Sequence, residues 1–446
     1  MSKASVGPIT GFPEWLPHQR WVEQDLTDRI RRRYELHGYV PLETRSVEPI
    51  ETMLAKGETD KEIYVLRRLQ AEEGEDHSGL GLHFDLTVPF ARYVAQHRND
   101  LSFPFKRYQI QKVWRGERPQ EGRYREFYQC DADVIGMNNL PAWWDVEMTM
   151  LLREVLDDRP IPPVSIQVNN RKILEGFYRA LGLEDMTATL RVMDKLDKLG
   201  PQRTLAELER VTGLPTDMAA RCLDLASISG SDLGVLSRVR ALGLTHPILE
   251  EGLSEMELVL RETASLPSGR VVANLRIARG LDYYTGVVYE GVMLGHEKLG
   301  SVCSGGRYDN LASVAGAKLP GIGVSIGLSR MLGRLFALGV LDATRKSPTA
   351  VLVALANEEA RANARAVAET LRSRGISTEV FDRPLKWGDQ IKYADSKGIP
   401  YVWFPAGDKP DHEVRTLATR SQESADPATW SPSPEHLRPA IVRKDG

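Results

Sequence analysis

The chain has 446 residues, of which 42% are hydrophobic and 27% charged, and its formal net charge is −3. This length predicts roughly two to four domains, and the composition is that of a globular protein with a sizeable core. Because the net charge is slightly negative, no overall basic field favours nucleic acid, and a contact with RNA would have to be local.

The cysteines are few and widely separated. Cys130, Cys222 and Cys303 form no Cys-x-x-Cys pair, which argues against a structural zinc site and against a disulfide scaffold. The N-terminal segment MSKASVGPITGFPEW has no apolar signal core, and no run of about twenty apolar residues occurs elsewhere. We therefore expect a cytoplasmic protein in a reducing compartment, with no membrane partner.

The first part of the chain predicts a helix followed by hairpins. In HQRWVEQDLTDRIRRRYELHGY, apolar residues recur at near-helical spacing, and Gly38 ends the helix. Short strands, turns and helices then alternate from about 39 to 165, with hairpin-like strands in the majority. We therefore expect an antiparallel sheet. A further helix is predicted from Trp143 to Leu156.

The rest of the chain changes character twice. Residues from about 171 to 266 predict helices with short glycine and proline breaks, and strands return at VVANLRIARGLDYYTGVVYEGVM. After DATRKSP the pattern becomes β-α-β-α-β, with helices at 358–374 and 387–397, which predicts a small parallel α/β domain before a loop-rich tail. The predicted α+β part has two pieces, 1–170 and 267–343, and a helical insertion at 171–266 lies between them. The C-terminal α/β domain is predicted at 347–446.

The stretch RGERPQEGRYREF concentrates arginines in one turn, and the strand YQCDADV follows it. Strand side chains alternate between faces, so one face is cationic, then aromatic, then amide and acidic, through residues 123, 125, 127, 129, 131 and 133. Arginine binds phosphate oxygens bidentately, Phe127 can stack on a flat ring, and Gln129 and Asp133 can bind an ammonium group or a protonated ring. The alternative is a solvated hairpin with ordinary Arg–Glu surface pairs.

Two later segments favour a binding site. In LRIARGLDYYTG, an arginine, an acid and two tyrosines precede an apolar strand, although a core aromatic pair would look similar. In LPGIGVSIGLSRML, glycines at every second position leave one strand face bare for a flat base, and Arg330 begins the next helix, free to cover it. Tight packing between sheet and helix is the alternative explanation for these glycines.

These segments together resemble a known family. VWRGERPQEGRYREFYQCDAD resembles motif 2 of class II aminoacyl-tRNA synthetases, in the version found in the histidyl-tRNA synthetase family. RGLDYYTG and SVCSGGRYDNL are similar to that family's two histidine signatures, and GIGVSIGLSRML occupies the place of motif 3. ITGFPEWLP, LHFDLTVPFAR, the helical insertion and the C-terminal domain follow in the family's order, so the resemblance covers nearly the whole chain.

The resemblance implies a fold and a reaction. The fold is an α+β catalytic domain with an antiparallel sheet, a helical insertion and a C-terminal α/β anticodon-binding domain, assembled as a homodimer. The reaction is the ATP-dependent activation of L-histidine to an adenylate, followed by transfer to the 3′ end of tRNA(His). Neither step needs a covalent nucleophile, so positioning and charge stabilisation would carry catalysis. Mg²⁺ would accompany the ATP phosphates, and no protein ligand is assigned to it.

The resemblance also implies residue roles. Arg115 and Arg279 would hold the α-phosphate and the histidine carboxylate as the catalytic pair. The residues implied to bind ATP are Arg115, Glu117, Arg123, Phe127 and Arg330. The residues implied to bind histidine are Asp85, Thr87, Gln129, Asp133, Arg279, Tyr283 and Tyr284. Arg118, in the turn, would contact the tRNA acceptor end, while Arg125 is left with a structural ion pair.

The sequence departs from the family pattern at three positions. Arg45 stands where motif 1 usually has proline, Ser329 stands where motif 3 usually has glutamate, and Asp85 stands where many relatives have glutamate. The first change affects the expected dimer interface, and the second affects contacts to ATP or metal.

Two other classes of protein fit parts of the chain. The regulatory subunit of ATP phosphoribosyltransferase shares the catalytic fold, but it typically lacks the C-terminal domain and the Arg-rich and RGLDYY residues, which are intact here. A hydrolase is suggested by GVSIG, with Ser325, Asp382 and His412 in an acceptable chain order. Its nucleophile elbow needs a mostly parallel sheet, whereas hairpin-like segments precede this strand.

Overall fold

The computed structural model describes residues 7–54, 62–68, 79–120, 122–157, 160–183, 186–278, 283–314, 316–407 and 411–444. Two compact units are present. The first comprises Met1–Pro13 and Leu26–Arg334, and the second comprises Glu14–Asp25 and Leu335–Gly446. No helix among the described residues is both long enough and apolar enough to cross a membrane.

The described strands, in chain order, are β1 (Val40–Pro41), β2 (Val47–Pro49), β3 (Tyr64–Val65), β4 (Leu80–Leu82), β5 (Phe105–Trp114), β6 (Glu126–Ile135), β7 (Val164–Asn170), β8 (Ser229–Gly230), β9 (Val271–Asn274), β10 (Val287–Met293), β11 (Ser301–Tyr308), β12 (Gly321–Gly327), β13 (Leu341–Ala343), β14 (Val351–Val353), β15 (Thr378–Val380), β16 (Tyr401–Phe404), β17 (Glu413–Thr416), β18 (Gln422–Ser424) and β19 (Ile441–Arg443).

The described α-helices, in chain order, are α1 (Pro17–Leu36), α2 (Ile50–Leu54), α3 (Thr87–His97), α4 (Trp143–Leu156), α5 (Arg171–Ala180), α6 (Met186–Met193), α7 (Leu196–Leu199), α8 (Pro201–Thr212), α9 (Thr216–Ala226), α10 (Gly234–Ala241), α11 (Pro247–Glu262), α12 (Leu328–Ala337), α13 (Arg361–Ser373) and α14 (Trp387–Lys397). The predicted bounds of α4 and α14 are confirmed. Short 3₁₀ helices occur at Glu297–Leu299 and Pro434–His436.

The first unit is built on a nine-stranded sheet in the order β1-β5-β6-β12-β11-β10-β7-β9-β8. Within this order, the neighbouring strands β5, β6, β12, β11, β10 and β7 all pair antiparallel. The parallel pairs are β1 with β5 and β7 with β9. The predicted antiparallel sheet is therefore confirmed, with parallel additions on either side of its centre. The strands β2, β4 and β3 form a separate small antiparallel sheet.

The two faces of the large sheet have different chemistry. The back face carries the apolar residues of β6, such as Cys130 and Ala132, and the Tyr34 hydroxyl of α1 donates to the Cys130 carbonyl at 3.1 Å. The front face carries the alternate residues Phe127, Gln129 and Asp133. Because strand side chains alternate between faces, the apolar residues of β6 at even positions pack in the core behind the sheet. The residues at odd positions, which include its amide and acidic side chains, lie on the front face.

A buried ion pair joins the back face to α4. The Arg307 guanidinium of β11 contacts Asp145 Oδ1 at 2.7 Å, and it also donates to the Leu140 and Pro141 carbonyls at 2.8 and 3.0 Å. The Tyr289 hydroxyl donates to the Asp145 carbonyl at 2.7 Å. Both charged side chains are buried, so each depends on the other and on these carbonyls for the solvation lost on folding.

Helices α5 to α11 form the insertion, as the sequence predicts, with only the two-residue β8 among them. Two of its helices approach to backbone contact. A Cβ on Gly176 of α5 would lie 2.2 Å from the Leu249 amide nitrogen, and a Cβ on Gly252 of α11 would lie 2.7 Å from the Ile173 amide nitrogen. The glycines are therefore required by the close crossing of α5 and α11.

The second unit contains a five-stranded sheet in the order β15-β14-β16-β17-β18. Strands β15, β14 and β16 are parallel, as predicted, and β17 and β18 add an antiparallel edge. Part of the tail expected to be loop-rich therefore forms β18. The buried Gln390 side chain of α14 exchanges two hydrogen bonds with the Leu355 backbone, at 2.9 and 2.8 Å, which holds the helix beside the end of β14.

Replacing Arg307 with methionine should lower the free energy of unfolding of the first unit by about 3–5 kcal/mol, because Asp145 would stay buried without its partner. Urea-induced unfolding, followed by circular dichroism, measures this change. Arg276→Met is the matched control, because its 2.9 Å pair with Asp197 is exposed and should contribute at most about 1 kcal/mol. Equal unfolding midpoints for the two variants would contradict the assignment.

Candidate functional site

Two adjoining cavities open on the front face of the large sheet. The arginine cavity has a volume of about 210 Å³ and is lined by Arg115, Glu117, Gly122, Arg123, Tyr124, Phe127, Gln129, Ser301, Val302, Cys303, Ser304, Ser325, Gly327 and Arg330. The tyrosine cavity has a volume of about 140 Å³ and is lined by Glu62, Phe84, Asp85, Thr87, Arg115, Gln129, Asp133, Tyr283, Tyr284, Ser304, Gly305, Tyr308, Gly323, Val324 and Ser325. They share Arg115, Gln129, Ser304 and Ser325.

Arg115 stands at the junction, directly after β5. Its Nε donates to the Phe84 carbonyl at 3.0 Å, and its guanidinium carbon lies 5.2 Å from the centre of the Phe127 ring. Glu117 contacts Arg115 Nη1 at 3.9 Å and Arg123 Nη1 at 3.2 Å. One carboxylate therefore holds the two guanidinium groups on the same wall, and the cationic character of that wall is preserved.

The opposite wall of the arginine cavity is formed by the start of α12. Arg330 donates to the Leu299 carbonyl, and Gly122 lies beside its side chain, with 3.4 Å between a Cβ placed there and Arg330 Cγ. Ser329, the motif 3 departure, is buried and accepts a hydrogen bond from the Tyr128 amide at 2.9 Å. Its role in this chain is to fasten α12 to β6.

Asp133 lies on the wall of the tyrosine cavity and is held by buried partners. Its Oδ2 lies 2.7 Å from Arg107 Nη2, and its Oδ1 accepts from the Tyr308 hydroxyl at 2.7 Å. The Arg107 guanidinium also donates to the Leu86 carbonyl at 3.0 Å and lies 4.3 Å from the centre of the Phe90 ring. Each of these groups is buried, so the carboxylate is held at a fixed point on the cavity wall.

Tyr283 and Tyr284 also line this cavity, and their rings are in contact at a tilt of 46°, with centroids 4.2 Å apart. Burial raises the pKa of Tyr284 well above its ordinary value, and the neighbouring Tyr283 adds to the shift. The hydroxyl therefore stays protonated and can donate. Asp85 Oδ1 accepts from the Val88 amide at 3.1 Å, which caps the first turn of α3 and places Thr87 on the rim of the cavity.

Gln129 presents a free acceptor where the cavities meet. Its Nε2 donates to Ser325 Oγ at 2.7 Å, and its buried Oε1 has no hydrogen-bond partner in the described part of the chain. A buried carbonyl oxygen without a donor is costly. The geometry therefore indicates that a ligand donor, such as an ammonium group, belongs at this oxygen.

The structure brings most of the predicted site residues together. The arginine cavity contains Arg115, Glu117, Arg123, Phe127 and Arg330, and the tyrosine cavity contains Asp85, Thr87, Gln129, Asp133, Tyr283 and Tyr284. Arg118 is exposed in the turn and lines neither cavity. Arg279 and Asp282 lie outside the described residues.

Two sequence interpretations need correction. β6 begins at Glu126, so the alternation does not extend back to Arg125, whose Nε instead donates to the Glu117 carbonyl at 3.2 Å. The glycine face of β12 is not bare along its length. The Tyr308 ring covers Gly321 and Asp133 covers Gly323, with 2.3 and 1.8 Å to a Cβ placed at those positions, and only Gly327 lines the arginine cavity.

Several residues of the site escaped the sequence analysis. Tyr308 and Ser304 both lie within the SVCSGGRYDNL signature, which could have indicated them, but Arg107 sits in an ordinary strand pattern that gives no functional signal. Arg45, the motif 1 departure, contacts the buried Glu48 at 2.8 Å, and Arg92 contacts the same carboxylate at 2.7 Å. The arginine at position 45 therefore serves a local ion-pair network.

The hydrolase alternative is not supported. Ser325 lies inside β12, within an antiparallel part of the sheet, rather than at a turn between strand and helix. Its hydroxyl accepts from Gln129. Asp382 and His412 belong to the second unit.

In the described residues no cluster of three or more histidine, cysteine or acidic side chains could hold a metal ion.

Comparison with protein families matches both units. Residues 11–331 match the family described as histidyl-tRNA synthetase, and residues 349–426 match the one described as anticodon binding domain. The histidine–tRNA ligase of Thermobifida fusca (strain YX) is 53% identical over 427 residues, covering 95% of this chain and 98% of the relative. That of Clostridium tetani (strain Massachusetts / E88) is 38% identical over 434 residues, covering 95% and 97%.

Solved structures show the same likeness. The crystal structure of histidyl-tRNA synthetase from Nostoc sp. PCC 7120 is similar with a TM-score of 0.85 at 35% identity, covering 95% of this chain and 97% of that one. An ATP phosphoribosyltransferase regulatory subunit/histidyl-tRNA synthetase from Bacillus halodurans C has a TM-score of 0.73 at 21% identity, covering 91% and 100%. At that identity the likeness shows the fold alone.

A class II synthetase catalytic domain followed by an anticodon-binding domain defines the class as aminoacyl-tRNA synthetase. The predicted fold class is thereby confirmed. The family match over residues 11–331 and the identity of 53% to a nearly full-length relative show more. The chain belongs to the histidyl-tRNA synthetase family.

Replacing Gly323 with alanine should reduce histidine-dependent ATP–pyrophosphate exchange by about a hundredfold, because the new methyl group would displace Asp133 by roughly an ångström or more. Gly327→Ala is the control on the same strand. Its methyl group would lie 3.5 Å from the Val302 carbonyl oxygen, an ordinary contact distance, so histidine KM should change little. An unchanged histidine KM in Gly323→Ala would show that Asp133 does not bind the amino acid.

Proposed function

We propose that histidine binds in the tyrosine cavity, that ATP binds in the arginine cavity, and that they react where the cavities meet. The supporting observation is the wall that both cavities share, which contains Arg115 and Gln129. The reaction is the ATP-dependent activation of L-histidine to histidyl-adenylate, followed by transfer to the 3′ end of tRNA(His). Relatives at 53% and 49% identity carry the name histidine–tRNA ligase, so the regulatory-subunit alternative gains no support.

ATP would lie along the arginine cavity. Phe127 and Arg330 would enclose the adenine, since ring faces and guanidinium planes both stack on bases. Glu117 would contact the adenine from the Phe127 side, and Arg123 would reach the phosphate tail. Mg²⁺ would arrive with the β- and γ-phosphates of ATP, as the family resemblance implies, and no residue of this chain is assigned to hold it. The roles proposed for the residues of this chain in the reaction do not depend on the metal.

Histidine would lie with its imidazole at Asp133. A neutral imidazole has one N–H donor and one bare nitrogen, and the tyrosine cavity offers the Asp133 carboxylate as acceptor and the Tyr284 hydroxyl as donor, with Tyr283 nearby. The α-ammonium group would reach Asp85, Thr87 and the free Oε1 of Gln129. A site of buried polar groups rejects analogues that leave those groups unpaired.

The chemistry needs no covalent intermediate with the protein. A histidine carboxylate oxygen attacks the α-phosphorus, an O–P bond forms, and the bond to the pyrophosphate oxygen breaks. Arg115 would stabilise the charge on the α-phosphate at the junction. Arg279 is proposed for the same task from the family resemblance. A 3′-terminal ribose hydroxyl then attacks the carbonyl carbon, and AMP leaves with the former α-phosphate.

The remaining assignments concern partners and organisation. The second unit would bind the anticodon of tRNA(His), and Arg118 would contact the acceptor end from the exposed turn. We also propose a homodimer in the cytoplasm, with catalytic residues in 1–170 and 267–343, an insertion at 171–266 and the anticodon domain at 347–446.

The decisive experiment is ATP–pyrophosphate exchange with the purified full-length chain, run separately with histidine and with each other standard amino acid. Exchange should depend on histidine alone, and charging of tRNA should follow. Exchange supported by a different amino acid, or by none, would overturn the proposal.

Arg115→Ala should reduce histidine-dependent exchange by about a thousandfold, because a preorganised charge at the reacting phosphate contributes roughly this much. Thermal unfolding should change little, since Arg115 is partly exposed. Arg118→Ala is the matched control from the same turn. It should leave exchange unchanged and slow only the charging of tRNA. Equal exchange rates in the two variants would contradict the division of roles.

A further inference from the structure

A row of buried polar side chains lies beneath the junction of the two cavities. Gln109 of β5 is the register partner of Asp131 on β6, and Asp131 is the register partner of Ser325 on β12. Partners of this kind have Cβ atoms about 4.5–5.5 Å apart. Asp131 lines neither cavity, so it does not contact a substrate there, and its role has to pass through a neighbour.

Ser325 is that neighbour. Its oxygen accepts from Gln129 Nε2 at 2.7 Å, and as the register partner of Asp131 on the same face it can direct its hydroxyl hydrogen toward that carboxyl group. A carboxamide has a donor end and an acceptor end. Because the Ser325 hydroxyl donates its hydrogen to Asp131, the Ser325 oxygen is an acceptor toward Gln129. The Gln129 carboxamide must therefore turn its donor end, Nε2, to Ser325. The Oε1 end of Gln129 is then the end directed away from Ser325, and it has no donor in the described part of the chain.

The other side of Asp131 shows which protonation state the row requires. Gln109 Nε2 donates to Thr44 Oγ1 at 3.0 Å and to Gln111 Oε1 at 2.5 Å, which fixes the orientation of its amide. Gln109 Oε1 and Asp131 Oδ1 are both buried acceptors without a donor in the described part of the chain. Because Gln109 and Asp131 are register partners on the same face, a proton on Asp131 would supply the donor that Gln109 Oε1 lacks, whereas a carboxylate supplies none.

The surrounding charges agree with a neutral acid. Burial raises the pKa of Asp131 to about 7, and Asp133 and Asp85 add to the shift, while Arg107 and the Ser325 hydroxyl oppose it. Arg107 is already paired with Asp133 at 2.7 Å. Tyr34 of α1 also interacts with Asp131, and burial raises its pKa well above the ordinary value, so that the phenol is uncharged at neutral pH.

We propose that Asp131 is a positioning residue that acts as a neutral acid. Through Ser325 it turns the Gln129 carboxamide so that Oε1 accepts a hydrogen bond from the α-ammonium group of histidine. This inference rests on the proposed function, since it needs histidine in the tyrosine cavity. It assigns Asp131 a part in binding the amino acid without direct contact and without charge.

The test compares two substitutions in the full-length chain. Asp131→Ala removes the acceptor for the Ser325 proton, so the histidine KM in ATP–pyrophosphate exchange should rise about tenfold to a hundredfold, as for a lost bond to a charged group. The KM for ATP and kcat should stay within about threefold of the wild type. Asp131→Asn reproduces the neutral acid, with an oxygen for Ser325 and an N–H for Gln109, and should restore the histidine KM.

A histidine analogue that lacks the α-amino group, 3-(imidazol-4-yl)propanoate, gives an independent readout. As a competitive inhibitor it should bind Asp131→Ala and wild type about equally, because it has no ammonium group for Gln129. Ser325→Ala should raise the histidine KM to a similar extent, and combining it with Asp131→Ala should add little, because both changes break one relay. Because Ser325→Ala removes only one hydroxyl group, it tests the same relay even if Asp131→Ala folds poorly.

Several outcomes would overturn the inference. A loss in Asp131→Asn as large as that in Asp131→Ala would show that the negative charge is needed. An unchanged histidine KM in Asp131→Ala would remove the role altogether. Parallel losses for ATP, histidine and the analogue would show a structural role only. A wild-type chain without histidine-dependent exchange would instead refute the proposed function, so the two failures are distinguishable.

Discussion

The site depends on holding one buried carboxylate, that of Asp133, at a fixed point inside the protein. Asp133 is buried on the front face of the sheet, and Arg107 and the Tyr308 hydroxyl compensate for the water it has lost. A buried charge without such partners is very unfavourable. The requirement extends to the neighbouring strand, where only glycine at 323 leaves room for the carboxylate. The position of the tyrosine cavity follows from this arrangement.

The large sheet separates stability from chemistry by its two faces. On the back face, the Arg307 guanidinium is bound by Asp145 Oδ1 and two carbonyl oxygens, although Asp145 Oδ2 has no partner in the described residues. On the front face, the Gln129 oxygen is left without a partner in the described residues. A protein can bear a small number of such unsatisfied groups when the rest of the sheet is well packed, and these groups concentrate where ligands bind.

The sequence was sufficient to predict the order of elements, α4 and α14, and the members of each cavity that follow one another along β5, β6 and α12. It was insufficient to predict contacts between residues of different strands. Alternation tells which face of β6 carries Asp133, but it does not tell that Arg107 and Tyr308 cover that carboxylate, since pairing register is a long-range property. For the same reason the glycines of β12 suggested open space, although Tyr308 and Asp133 fill most of it.

Under the proposed assignment, the wall shared by the two cavities also affects how histidine and ATP influence each other's binding. Arg115 and Gln129 belong to both cavities, so a substrate that orders these side chains on one side prepares the surface that the other substrate meets. The two affinities are then thermodynamically linked, and by reciprocity each ligand changes the affinity for the other by the same factor. In such a cleft cooperativity between amino acid and nucleotide needs no movement of distant elements.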